Sequence, residues 1–85
     1  MSDNGVRSTI ARFFDEKPIL KGIAPDQDFF SIGASSLTVI DLQIQIEEAL
    51  KLSVSTSTLM GSPTVNAWVN AYEQAKSAAK EAQTA

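Results

Sequence analysis

Apolar residues recur along this chain at helical spacing, and the gaps between them mark out a small set of helices. Val6, Ile10, Phe13 and Phe14 alternate with Arg7, Arg12, Asp15 and Glu16, which predicts one amphipathic helix over roughly 3–16. Ser2, Asp3 and Asn4 are its candidate caps, while Gly5 weakens the first turn. Pro18 ends it, because proline has no N–H to donate and disfavours helical geometry in the residue before it. From Ser36 to about Leu50 an apolar-rich run without Gly or Pro predicts a second helix. Val39, Leu42, Ile46 and Ala49 or Leu50 form one stripe on it, and Leu37, Ile40 and Ile44 form a second. One stripe is enough to pack a surface helix on a small core. The second is either buried, in a helix covered on both sides, or left over for a loop or a partner; the pattern fits both arrangements.

Between these helices, residues 17–35 form a long connection punctuated by Pro18, Gly22, Pro25 and Gly33. Such loops are uncommon in compact domains unless they are pinned or functional. Ile19, Leu20, Ile23, Phe29, Phe30 and Ile32 are the candidate pins, and the adjacent Phe29 and Phe30 are expected to point in different directions. Leu52 to Ser55 alternates like a strand but has nothing to pair with, and reads as an extended connection. Thr56 to Met60 predicts one short helical turn that Gly61 stops, with Leu59 or Met60 facing inward. Ser62-Pro63 reads as the opening of a last helix, with proline in its first turn and Val65, Trp68, Val69 and Tyr72 as its apolar face. Residues 76–85 hold good helix formers without a large apolar anchor and are expected to fray, as a linker or docking segment beyond a folded domain at 1–75. The fold class expected is all-α, a small three-to-four-helix bundle with a long loop between the first and second helices.

Composition removes most chemistries. Eighty-five residues with 44% hydrophobic content build a small core and leave little volume for an enclosed active site. Cys and His are absent, which excludes disulfides, the usual zinc sites, and catalysis by either side chain. No Asp-rich loop has calcium-binding spacing, so no metal site is expected. No apolar run has the length of a membrane span. The start Met1-Ser2-Asp3-Asn4-Gly5 lacks the regions of a signal peptide, so a cytoplasmic location is expected. The net charge is −3, and from Gly22 to Leu50 the acids Asp26, Asp28, Asp41, Glu47 and Glu48 stand without any Lys or Arg. An acidic centre disfavours nucleic acid and favours basic protein partners.

The chemical focus is Gly33-Ala34-Ser35-Ser36-Leu37, at the start of the second helix. Small residues turn the chain and two hydroxyls follow. A serine here caps the helix or stands at the positive end of its dipole, where unpaired N–H groups favour an anion such as a phosphate ester. Neither serine has a histidine to activate it, and the sequence places neither Lys21 nor Lys51 beside them. The acid pairs Asp26 with Asp28 and Glu47 with Glu48 have no evident pocket, and adjacent helical residues cannot face each other across a substrate. A protein without catalytic activity of its own is expected.

The run Asp28-Phe29-Phe30-Ser31-Ile32-Gly33-Ala34-Ser35-Ser36-Leu37 resembles the attachment motif of thiolation or carrier domains, the peptidyl and acyl carrier proteins of nonribosomal peptide and polyketide synthases. Ser62-Pro63-Thr64-Val65 is similar to the stretch that opens the last helix of that family, and the resemblance covers roughly residues 6–75. It implies an acyl-carrier-protein-like bundle in which Ser36 receives 4′-phosphopantetheine from coenzyme A through a phosphopantetheinyl transferase. The arm's thiol would then carry amino-acyl, peptidyl or acyl groups as thioesters. Ala34 stands where many members have a second glycine, and Ser35 where many acyl carriers have aspartate; the Phe29-Phe30 pair favours a peptidyl carrier. The implied partners are condensation, adenylation, ketosynthase or thioesterase-type domains that grip a monomeric carrier. Leu37, Ile40 and Ile44 would be the apolar contacts, with Asp41, Glu47 and Glu48 meeting basic residues. The rival reading is a small helical adaptor without a prosthetic group, in which Ser36 only caps.

Overall fold

A computed structural model of the chain describes residues 5–84, with side chains as far as residue 78. It contains four helices: α1 (Val6–Glu16), α2 (Ser36–Leu50), α3 (Thr56–Gly61) and α4 (Val65–Thr84), and no strand among the described residues. The all-α bundle with a long first loop is therefore the observed architecture. The candidate caps Ser2, Asp3 and Asn4 lie outside the described residues. Helix α1 starts after Gly5, whose carbonyl accepts a hydrogen bond from Thr9 N at 3.1 Å.

The helices close a ring of neighbours. Helices α1 and α3 each pack against both α2 and α4, whereas α2 and α4 sit on opposite corners. Each helix turns one stripe inward: Val6, Ile10 and Phe14 from α1, Val39, Leu42 and Ile46 from α2, Leu59 from α3, and Val65, Trp68, Val69 and Tyr72 from α4. Three rings fill the middle. Phe14 and Phe29 lie 5.6 Å apart between centroids, and each meets Trp68 edge-on, at 5.4 Å and 5.5 Å. This is the T-shaped arrangement that the ring quadrupoles favour. The indole N–H of Trp68 donates to Leu59 O at 3.1 Å, so one side chain of α4 joins α1, the long loop and α3.

The long loop is pinned as its composition predicts. Leu20 and Phe29 are fully buried, and two backbone bonds tie the loop to the start of α4: Phe29 N to Pro63 O and Asn66 N to Pro25 O, both at 3.0 Å. Phe30 is only half-buried and packs edge-on against Phe29, with ring centroids 5.1 Å apart. The extended connection 52–55 finds side chains in place of a partner strand. Gln43 Nε2 donates to Val54 O and Val54 N donates to Glu47 Oε2, each at 2.9 Å.

Two boundaries differ from expectation. Helix α4 begins at Val65, with Thr64 Oγ1 accepting from Ala67 N at 3.1 Å, so Pro63 precedes the cap and does not occupy the first turn. At the other end α4 runs on to Thr84 through the segment expected to fray. Ala, Lys, Glu and Gln have high helix propensity, and a helix already nucleated by packing extends at little cost.

The diagonal between α2 and α4 is spanned by a side-chain bond. Tyr72 Oη donates to Glu47 Oε2 at 3.0 Å. Burial, then the hydrogen bond to Glu47 and its negative charge, push the Tyr72 hydroxyl well above the usual tyrosine range. Above about pH 10 the unfolded tyrosine releases its proton while the folded one keeps it. The stability contributed is thus complete below that pH and falls as pH rises further. Unfolding by denaturant across alkaline pH should show this decline, and Tyr72→Phe should make it shallower.

The neighbouring phenylalanines should separate cleanly in the same measurement. Phe29→Ala empties a fully buried site at the centre of the ring cluster and should cost ~3–5 kcal/mol, a large share of the total stability of a small domain. Phe30→Ala should cost less than half of that, because Phe30 is only half-buried.

Candidate functional site

The approach to α2 is built by a tight fold of residues 28–34. Asp28 Oδ1 accepts from Phe30 N at 2.8 Å and from Ser31 N at 3.3 Å, and Ser31 Oγ donates back to Asp28 O at 2.6 Å. A short acidic side chain bonding the backbone two and three residues on is a standard turn former. It sends Phe29 into the core. Gly33 then takes a positive φ of 109°, and a Cβ there would meet Ile19 Cδ1 at 3.0 Å, so conformation and space both favour glycine. Ala34 has no such demand. Its φ is not positive, it is buried, and its N–H donates to Phe29 O at 3.1 Å.

The two serines divide in position. Ser35 is the N-cap, with extended backbone; its Oγ accepts from Thr38 N at 3.3 Å and its carbonyl from Val39 N at 3.1 Å. Ser36 is the first residue of α2 and is exposed. With Thr38 N served by the cap, the N–H groups of Ser36 and Leu37 still stand without intrahelical partners at the positive end of the dipole. The first turn of α2 holds no acid. An exposed hydroxyl beside free N–H donors and without a neighbouring carboxylate suits a phosphate ester.

Among the described residues no hydrogen bond ties that hydroxyl to a base. Lys51 is the C-cap of the same fifteen-residue helix, which sets it about 22 Å away along the axis. Lys17 is held in an ion pair with Asp41. Among the described residues no group of three or more His, Cys, Asp or Glu is arranged to hold a metal ion, and no helix is long and apolar enough to cross a membrane.

Helix α2 is covered on one side only. Its second stripe faces out, with Leu37 78%, Ile40 39% and Ile44 55% exposed. The acids near that stripe do not behave alike. Asp41 is paired with Lys17 from the start of the long loop. Glu47, expected to face basic residues of a partner, is half-buried and bonded within the protein: its Oε2 accepts from Gln43 Nε2 at 3.3 Å, Val54 N at 2.9 Å and Tyr72 Oη at 3.0 Å. Glu48 remains exposed. Sequence reading gave no role to Lys17, Gln43 or the Tyr72 hydroxyl. Only the i, i+4 spacing of Gln43 and Glu47 carried a local hint.

Residues 4–72 match the family model described as the phosphopantetheine attachment site. No curated protein and no solved structure gives a significant match. The matched segment takes in α1, the long loop, α2, α3 and the buried part of α4, so the family resemblance extends over the whole of the packed core. The chain belongs to the phosphopantetheine-attachment family, whose carrier domains hold 4′-phosphopantetheine covalently, after loading by a phosphopantetheinyl transferase, and meet the enzymes of a synthase.

Proposed function

We propose that Ser36 Oγ is the attachment atom and that the chain is a peptidyl-type carrier, presenting amino-acyl or peptidyl cargo to condensation, adenylation or thioesterase-type domains. The observation that carries the assignment is the division of the serines: Ser35 is committed to capping α2, and Ser36 is exposed at the first helical position. In loading, the Ser36 Oγ–P bond would form as the pyrophosphate P–O bond of coenzyme A breaks, with adenosine 3′,5′-bisphosphate as the leaving group. The hydroxyl proton would leave to a base supplied by the transferase, since among the described residues none is hydrogen-bonded to the serine. The N–H groups of Ser36 and Leu37 then face the phosphodiester charge. When bound, the group supplies the terminal thiol that this cysteine-free chain lacks. The Asp28-Phe29-Phe30 opening of the motif, similar to that of peptidyl carriers, supports amino-acyl or peptidyl cargo over acyl cargo.

Leu37, Ile40 and Ile44 supply the apolar surface that visiting enzymes contact next to the attachment point. Residues already packed on the core could not do so without unfolding α2. Contacts of this size favour the modest affinity that a carrier needs in order to leave one enzyme for the next.

Intact mass after incubation with coenzyme A and a broad-specificity phosphopantetheinyl transferase tests the assignment. Wild type should gain one phosphopantetheine and Ser36→Ala none. Ser35→Ala should still be modified while losing ~0.5–2 kcal/mol of stability with its cap. The absence of any gain in wild type, while a control carrier is loaded, would favour an adaptor without a prosthetic group. Ile44→Asp should keep the helical circular dichroism of wild type and slow transfer to a partner enzyme; loss of helicity would place Ile44 in the core.

A further inference from the structure

A small cavity opens on the bundle with no residue of α2 in its wall. Arg7, Ala11 and Asp15 recur every fourth residue and form one stripe of α1, separate from the core stripe of Val6, Ile10 and Phe14. At the middle of that stripe Ala11 carries only a methyl group. The gap beside it, about 190 Å³, is closed by Phe14, by Ile23 and Pro25 of the long loop, and by Val65 of α4. The loop wall is fixed in place: Pro25 O accepts from Asn66 N and Ile23 N donates to Leu20 O, both at 3.0 Å. A cavity of about 150 Å³ takes a benzene-sized guest, so this one has room for a single large apolar side chain. The two charges of the stripe bracket it. Arg7 gives one donor to Asn66 Oδ1 at 3.3 Å, and Asp15 Oδ1 accepts from Gly22 N at 3.4 Å. Neither is held in an ion pair among the described residues. Two turns of helix set them about 12 Å apart along the axis, too far to pair with each other.

We propose that this cavity docks an extended peptide segment of a partner protein, in which an apolar side chain stands two residues from an acid on one side and two from a base on the other. In an extended chain alternate side chains point the same way, and each residue advances about 3.3 Å. Positions one, three and five therefore face the groove together, with the outer two about 13 Å apart, which matches the spacing of Arg7 and Asp15. The acid meets Arg7, whose guanidinium has donors beyond the one given to Asn66. The apolar side chain fills the gap beside Ala11, and the base meets Asp15. Both ion pairs are exposed and the buried group is small, so the contact is transient, with a Kd of about 1 mM. The site shares no residue with Ser36 or the exposed stripe that follows it, Leu37, Ile40 excepted by position and Ile44 by helix face. A segment bound here leaves α2 open to visiting enzymes.

Two peptides, acetyl-Glu-Ser-Leu-Ser-Lys-amide and acetyl-Lys-Ser-Leu-Ser-Glu-amide, present the three groups in either direction along α1. Titrated into the isotope-labelled intact protein and followed by NMR, at least one should shift the amide signals of Ala11, Ile23 and Val65 saturably, with a Kd of about 1 mM. A peptide with serine in place of the leucine should bind at least about ten-fold more weakly, and Arg7→Gln should weaken binding roughly three-fold. Ala11→Leu fills the gap from an exposed helical position; it should melt no lower than wild type and lose the saturable shifts. The proposal is overturned if neither peptide gives saturable shifts at these residues by about 10 mM, if the serine peptide binds as tightly, or if Ala11→Leu binds as wild type does. It is also overturned if acetyl-leucine amide alone binds as tightly as the peptides, which makes the cavity a site for a small apolar molecule. Shifts at the same residues that grow with protein concentration in the absence of peptide assign the cavity to a second copy of this chain and overturn it equally. The peptide series decides the matter without relying on any variant to fold, and loading at Ser36, read by mass, stands or falls separately.

Discussion

The meeting of Phe14, Phe29 and Trp68 is the contact on which the rest of this structure depends. Each ring comes from a different part of the chain, α1, the long loop and α4, and the indole also binds the end of α3. Four helices of this size do not have enough buried surface to hold a long unpaired connection by backbone bonds alone. Burying Phe29 turns the loop into part of the core. With Phe29 fixed, its amide reaches Pro63 and its carbonyl reaches Ala34, so the last residues before α2 are placed relative to both ends of the bundle.

From that placement the site follows by short steps. Asp28 folds the backbone so that Phe29 enters the core, Gly33 makes the reversal that a side chain would obstruct, Ala34 is buried, and Ser35 ends the approach by capping. The exposed Ser36 is what remains after every neighbour has been assigned to structure. Precision at this position comes from residues that have no chemistry of their own, and the side chain proposed to bear the arm makes no demand on the core. A carrier can then be loaded and unloaded without the bundle having to rearrange.

Much of this was legible because the informative signals are local. Helix α2 and its cap follow from a Gly-Ala turn, two hydroxyls and an uninterrupted apolar run, all within a few residues. Two kinds of feature were not legible. The period of α2 yields two apolar stripes, but which one is buried depends on where α1 and α3 lie, and that is set by the distant ring cluster. The internal partners of two acids were hidden for a related reason. Glu47 and Tyr72 are 25 residues apart and Lys17 and Asp41 are 24 apart, so beyond the spacing of Gln43 and Glu47 the neighbouring sequence does not distinguish an acid bonded within the protein from one free on the surface. The continuation of α4 turned on propensity where the expectation had been drawn from the lack of an apolar face.

The cap of α2 is a hydroxyl, with no acid in the first turn behind it. A carboxylate at the cap position would have balanced the positive end of the helix permanently and would have repelled any anion added next to it. A neutral cap leaves that balance open. On the assignment proposed here, the unmodified protein is therefore the electrostatically incomplete form, and the phosphodiester is the counter-charge that finishes the helix, worth ~0.3–1 kcal/mol at an exposed terminus. Cofactor and scaffold are then thermodynamically linked: the helix that presents the arm is itself steadied by the arm's first atom group. A loaded carrier would differ from an unloaded one in the firmness of its first turn of α2 as well as in what hangs from it.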